Sequence, residues 1–89
     1  MAQLKTMANP AGWLIDPQNK WVIHFESKRV NENDSTSEFT IDMWGVDTKG
    51  QPLKFKSRRK ASKNDYLKTW KQLISSNWTQ VDFGKVKAA

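Results

Sequence analysis

The densest group of chemically active side chains is a basic run late in the chain. Its six cations within ten residues are Lys54, Lys56, Arg58, Arg59, Lys60 and Lys63. Ammonium and guanidinium groups bind phosphates, so such a row could follow a nucleic-acid backbone. If the run is a β-strand, its even-numbered cations from 54 to 60 project from one face, about 6–7 Å apart. The start of a helix at Lys63 would add free backbone N–H donors beside them.

Trp44 is the aromatic residue best placed to add a contact to a base. It is out of phase with the apolar residues of its predicted strand, which are Phe39, Ile41 and Met43. We therefore expect it on the opposite face of the sheet, across from Lys54. There the ring could stack on an unpaired base, or it could cover the ammonium group through a cation–π contact.

The basic run also allows an interpretation without a ligand. The expected hairpin register places Asp42 opposite Lys56 and Glu38 opposite Lys60, so both pairs could form ion pairs. Two carboxylates cannot neutralise six cations, and a net positive surface is expected to remain. Binding of nucleic acid or another polyanion and a solvated, partly paired surface are therefore both open at this stage.

Other chemistry finds little support in the residue types. His24 is the only histidine and the chain has no cysteine, so neither a zinc-thiolate site nor a histidine cluster can form within it. There is no glycine-rich phosphate loop, and His24 has no recognisable nucleophile as a partner. The sequence predicts a non-enzymatic protein without a metal or a cofactor.

Length and charge limit the architecture. The chain has 89 residues and a net charge of +6, which suits one small domain. Residues 1–48 carry four cations and seven acids, whereas residues 49–89 carry eleven cations and two acids. No apolar run approaches the roughly 20 residues that span a bilayer, so we expect a cytoplasmic protein. Binding to a membrane surface is not expected either, because the apolar stripe of the predicted helix is needed for the core. We predict a flexible segment over 1–11, a single domain over 12–83 and a basic tail over 84–89.

The first predicted hairpin consists of two β-branched and aromatic runs that flank a turn at residues 16–19. Its proline suits the second position of a type I turn, and Asn19 tolerates a left-handed conformation. A three-residue loop would pair Trp13 with Ile23 and Ile15 with Trp21 on the core face and leave Leu14 on the exposed face. Phe25 would extend the core face.

A second hairpin is predicted around Gly50, which can supply the positive φ of a three-residue turn. Its last strand is expected to place Leu53 and Phe55 beneath a helix. Residues 28–37, between the two hairpins, are almost entirely polar and predict a mobile loop.

A helix is predicted to begin after Ser62, which can cap it, with Asp65 favourable to the helix dipole. Its apolar stripe is formed by Tyr66, Leu67, Trp70, Leu73 and Ile74. Asn77 is expected to end the helix in a left-handed conformation, and a short return strand follows. The predicted fold is therefore α+β: a four-stranded antiparallel meander of two hairpins packed on one C-terminal amphipathic helix, with a possible short last strand.

The order of several motifs resembles a known family. These motifs are Gly12-Trp13-Leu14-Ile15-Asp16, Trp21-Val22-Ile23-His24-Phe25, Lys56-Ser57-Arg58-Arg59, Trp70-Lys71-Gln72-Leu73 and Asn77-Trp78-Thr79-Gln80-Val81. Together they cover about residues 12–81 and are similar to an uncharacterised small-protein family of the marine picocyanobacteria Synechococcus and Prochlorococcus. Members often carry glycine at the positions of Asn19 and Asn77, and both residue types tolerate positive φ. The resemblance implies a cyanobacterial, cytoplasmic setting, and it transfers no activity and no catalytic or binding residue to this chain.

Two functions follow from these features. The first is a small basic module that binds nucleic acid through phosphates with little sequence specificity. The second is an adaptor or homo-oligomeric assembly protein, which binds an acidic partner or a second copy through the open sheet face around Trp44.

Overall fold

The elements follow one another along the chain in a simple order. A computed structural model describes residues 10–31 and 36–83. Its elements are β1 (Gly12–Ile15), β2 (Trp21–Asn31), β3 (Thr36–Val46), β4 (Pro52–Ala61), α1 (Lys63–Ser75) and β5 (Thr79–Val81). The predicted tail at 84–89 and residues 1–9 of the predicted leading segment lie outside the described residues.

The strands form one antiparallel sheet in the order β4-β3-β2-β1-β5. The first four strands are a meander, α1 packs on one side, and the short last strand returns to pair with β1. These features confirm the predicted α+β fold. We call the side of the sheet that carries α1 the helix side and the other side the open side.

Both hairpin turns have the predicted left-handed residues. Asn19 has a φ of 59° and its N–H donates to the Asp16 carbonyl oxygen at 3.0 Å. Gly50 has a φ of 81° and its N–H donates to the Asp47 carbonyl oxygen at 3.1 Å. Local sequence therefore fixes where the chain reverses direction.

The register of the first hairpin differs from the predicted one by one residue. Leu14, not Trp13, lies opposite Ile23. The cause is Asp16, which pairs with Trp21: its N–H donates to the Trp21 carbonyl oxygen, and its carboxylate accepts the Trp21 N–H, both at 3.0 Å. Because a shift of one residue exchanges the faces of a strand, Leu14 enters the core and Trp13 lies on the open side.

The polar segment between the hairpins is largely strand, so the prediction of a loop over 28–37 is wrong at both ends. Lys28 lies opposite Glu38 and Arg29 opposite Ser37 in the β2–β3 ladder. A ladder is held by backbone hydrogen bonds, which polar side chains do not prevent. The remainder of this predicted loop, 32–35, is outside the described residues.

The helix ends as its sequence predicts. The Ser62 hydroxyl accepts the Asp65 N–H at 3.1 Å. At the other end Asn77 has a φ of 72°, and the Trp78 N–H donates to the Leu73 carbonyl oxygen at 3.0 Å, which is a Schellman motif.

The core lies between α1 and one end of the sheet. Its buried residues are Leu14, Phe25, Phe39, Ile41 and Tyr66. The rings of Tyr66 and Trp70 meet Phe25 edge to face, with centroids 5.4 and 5.0 Å apart. Burial raises the pKa of Tyr66 to about 12, and its hydroxyl donates to the Pro10 carbonyl oxygen at 2.6 Å.

Candidate nucleic-acid interface

The predicted basic run forms β4 and the start of α1. β4 is an edge strand, and residues 53–60 are all exposed. The six cations predicted as ligand contacts are therefore at the surface: Lys54, Lys56, Arg58, Arg59, Lys60 and Lys63. An exposed edge gives a ligand access to these side chains from both sides of the sheet.

Two β-bulges interrupt the alternation of side chains in β4. Consecutive residues of β3 lie opposite Phe55 and Ser57, so Lys56 is an extra residue. Leu53 is extra in the same way nearer the turn. A bulge shifts the following side chains by one position and increases the local twist, and both effects are common at sheet edges.

The bulges divide the cations between the two sides. Arg58 and Lys60 lie on the open side. Arg59 lies on the helix side, where its guanidinium is 2.6 Å from the Asp65 carboxylate and 3.4 Å from the Thr69 hydroxyl. The prediction that the even-numbered cations from 54 to 60 share one face is therefore wrong.

On the open side, carboxylates pair with both cations. Asp42 lies opposite Arg58, not Lys56 as predicted, and accepts two hydrogen bonds from its guanidinium at 2.9 Å each. These bonds raise the pKa of Arg58. The Lys60 ammonium lies 3.4 Å from the Glu38 carboxylate. The prediction placed these two residues directly opposite each other, but Lys60 lies opposite Thr40. The open side of β4 therefore has little net charge.

On the helix side, a tryptophan lies beside two lysines. Trp21 faces Gly45 of β3, and a Cβ on that glycine would lie 3.8 Å from the Trp21 ring and 3.9 Å from the Lys54 Cβ. The Lys56 ammonium lies 5.6 Å from the centre of the Trp21 ring. We call Trp21, Gly45, Lys54 and Lys56 the Trp21 patch. The predicted placement of Trp21 in the core is wrong: among the described residues, Trp21 is neither in the buried core cluster nor among the side chains packed against it.

The cations differ in their electrostatic partners. Within the described ranges, Arg58, Arg59 and Lys60 have ion pairs, and Lys54, Lys56 and Lys63 have none. The unneutralised positive charge of the basic run is therefore in the Trp21 patch and at the first turn of α1.

The open side carries an aromatic cluster that we call the open-side cluster. It consists of Trp13, His24, Trp44, Phe55 and Phe83. Trp44 is on the open side as predicted, but Phe55 is its cross-strand neighbour and Lys54 lies on the helix side. The predicted contact of Trp44 with Lys54 is therefore wrong. Trp13 and Phe55 both approach the Trp44 ring at steep angles, with centroids 6.0 and 5.4 Å away.

Leu53 and Phe55 are exposed, contrary to the prediction that they lie beneath the helix. Leu53 retains 66% of its accessible surface and Phe55 47%. Leu53 is the extra residue of the bulge nearer the turn, and Phe55 lies on the open side against Trp44. The edge of the sheet therefore exposes apolar as well as basic groups.

His24 is half-buried against Trp13, with ring centroids 4.5 Å apart. Burial lowers the pKa of His24 because it disfavours the charged imidazolium, and the nearby carboxylates of Glu26 and Asp42 offset this in part. Folding therefore releases a proton from this residue when the pH lies between its lowered value and about 6.5.

We expect the domain to lose stability as the pH falls below about 6.5, because the unfolded chain then binds a proton that folded His24 resists. His24→Phe retains a ring beside Trp13 and cannot titrate. The thermal midpoint of the wild type should fall more between pH 7 and pH 5.5 than that of this variant. Parallel midpoints for the two proteins would contradict the assignment.

Neither a metal-binding cluster nor a membrane-spanning helix is present in the described residues. Residues 10–31 and 36–83 contain no group of three or more His, Cys, Asp or Glu side chains that could hold a metal ion. The single helix found there is too short and too polar to cross a membrane.

The fold and surface define a small α+β domain with a basic edge strand. Residues 11–84 match the model of the family described as protein of unknown function DUF1651, and the chain belongs to this family. No curated protein and no solved structure matches the chain.

Proposed function

We propose that this domain binds nucleic acid, mainly through phosphates and with little sequence specificity. The observation that carries the proposal is the set of exposed cations without ion pairs in the described structure, which are Lys54, Lys56 and Lys63. The phosphate backbones of nucleic acids are the abundant cellular ligands that such a surplus of positive charge attracts.

The three paired cations support this proposal as secondary contacts. The side chains of Arg58, Arg59 and Lys60 are 62%, 51% and 77% exposed. The ion pairs of Arg59 and Lys60 are exposed on both partners and contribute only about 0–1 kcal/mol each, so a phosphate can replace the carboxylate at low cost. Arg58 stays paired with the buried Asp42 and can only share its guanidinium with a phosphate. Arginine can also contact a phosphate in a bidentate manner.

Lysines and bulges also protect an edge strand from pairing with another chain, which explains the basic run without a ligand. The two functions make different demands. Protection against pairing requires charge on either side of the strand, whereas phosphate binding requires cations that are grouped and not neutralised. The Trp21 patch meets the second requirement.

Affinity for a fluorescein-labelled oligonucleotide should decrease steeply with salt. If Lys54, Lys56 and Lys63 each neutralise a phosphate of a single strand, the slope of log K against log salt is about −2. Raising salt from 50 to 200 mM should then weaken binding about 20-fold. Fluorescence anisotropy measures this directly. Absence of binding at 50 mM salt, or binding that is insensitive to salt, would contradict the proposal.

A second candidate function is assembly with another copy of the chain or with an acidic partner. The exposed Leu53 and Phe55 favour it, since Phe55 extends the open-side cluster to the edge strand and Leu53 lies two residues away on the same strand. Apolar surface of this kind occurs at protein interfaces. Under either function we place the domain in the cytoplasm of cyanobacteria, the setting that the family resemblance implies.

If the domain self-associates through this surface, the mass in solution measured by light scattering should be that of a dimer, unchanged at high salt. Phe55→Ser should then return the protein to a monomer. A monomeric wild type at about 100 µM would exclude a second copy as the partner.

A further inference from the structure

Trp21 is a half-buried residue that lies outside the core cluster of the described structure. It is the first residue of β2 and lies on the helix side together with Phe25, which contacts Tyr66 and Trp70 of α1. Four residues along a strand correspond to about 13 Å, so Trp21 lies well beyond this contact. The core cluster, as far as the structure describes it, does not include Trp21, whose side chain is half-buried.

The half-buried Trp21 ring lies beside a glycine and a flexible lysine. Gly45, directly opposite on β3, has no side chain, and the ring lies within van der Waals distance of where a Cβ would be. The Lys56 ammonium lies over the Trp21 ring, 5.6 Å from its centre. A lysine side chain has many rotamers and can move aside, whereas the packed residues of the core cannot.

The charge around Trp21 suits a polyanion. Lys54 and Lys56 flank it, and neither has an ion pair with a described carboxylate. Trp44 has different surroundings: Trp13 and Phe55 contact its ring, and Arg58, which lies over the Phe55 ring, is held by Asp42. Both tryptophans are half-buried, and of the two it is Trp21 that has cations without ion pairs beside it.

Resting on the proposed function, we infer that the Trp21 patch binds single-stranded nucleic acid. An unpaired base stacks on the Trp21 ring, and Lys54 and Lys56 bind the phosphates on either side of it. When the base arrives, the Lys56 ammonium exchanges its contact with the ring for a contact with phosphate. A duplex offers the same phosphates but no free base face, so it lacks the stacking contact.

The test compares three oligonucleotides of 15 nucleotides at 50 mM salt by fluorescence anisotropy: single-stranded oligothymidine, a strand of the same length with abasic sites, and a duplex. Stacking of one base corresponds to about 5-fold to 150-fold in affinity. We expect oligothymidine to bind about tenfold more tightly than the abasic strand, which has the phosphates without the bases. Equal affinities for these two strands would overturn the inference, and this comparison needs no protein variant.

Variants then locate the contact. Trp21→Leu should lower the affinity for oligothymidine about tenfold and leave that for the duplex within about twofold, while Trp21→Phe retains most of the affinity. Trp44→Leu, the matched control on the open side, should have no effect on either ligand. Unchanged oligothymidine binding by Trp21→Leu would overturn the inference while leaving phosphate binding intact. Failure of both oligothymidine and duplex to bind would contradict the proposed function itself.

Discussion

Reversing the charge of Lys54 and Lys56 together, as Lys54→Glu and Lys56→Glu, is expected to weaken oligonucleotide binding at least about 30-fold at low salt. Each lysine lost removes the release of about 0.7 counterion from a single strand, and each new carboxylate repels a phosphate. The slope of log K against log salt should fall in magnitude by about 1.4. Anisotropy titrations at several salt concentrations measure both quantities.

The fold should tolerate this change. Neither lysine has an ion pair in the part of the chain that the structure describes, and both are exposed. Substitutions at such surface positions usually change the free energy of unfolding by less than about 0.5 kcal/mol each. Urea unfolding of the variant should therefore have nearly the same midpoint as that of the wild type, so lost binding would not reflect lost structure.

A matched control separates a local site from general attraction to a basic protein. Lys68→Glu with Lys71→Glu makes the same change of net charge on the exposed surface of α1. We expect this control to retain affinity within about threefold, because neither lysine belongs to the basic run or to the Trp21 patch. If both double variants lost affinity equally, net charge alone would explain binding, and the interface at β4 would be refuted.

Replacing Phe25 by alanine is expected to destabilise the domain by about 3–5 kcal/mol, the usual cost of truncating a buried phenylalanine. Phe25 is completely buried and contacts both Tyr66 and Trp70 edge to face. A small domain has only about 5–15 kcal/mol of stability, so a large part of it would be lost. Urea unfolding followed by far-ultraviolet circular dichroism gives the free energy.

Phe55→Ala is the matched control for this prediction. Both phenylalanines lie on strands, and the sequence pattern assigns both to the core. Because Phe55 retains 47% of its surface and its ring contacts are with Trp44 and the Arg58 guanidinium, its truncation should cost about 1 kcal/mol or less. A loss for Phe55→Ala as large as that for Phe25→Ala would contradict the placement of β4.

Predictions that depend on neighbouring residues are confirmed. The serine cap, the left-handed Asn77 and the positive φ of Gly50 are all present. A cap or turn is decided by hydrogen bonds within about five residues, so its residue types are visible in the sequence. The apolar period of α1 identifies a side that must be buried, and the sheet is its partner.

Predictions that depend on strand register are wrong in both hairpins. In the first, the backbone and carboxylate of Asp16 extend the pairing to Trp21, which moves Leu14 into the core. In the second, the bulges at Leu53 and Lys56 change the residue opposite Asp42. Alternating patterns permit several registers, and the one that forms is the one with the best combined hydrogen bonding and packing.

The sequence by itself determined the α+β class, the ends of the helix, the turns and the presence of an excess of cations in residues 54–63. Only the tertiary structure decided which cations are neutralised and which tryptophan lies beside the free ones. The reason is that charge is additive along the chain, whereas ion pairing and exposure depend on distances between strands. Those distances depend on the two extra residues in β4 and on which residues of the sheet α1 packs against.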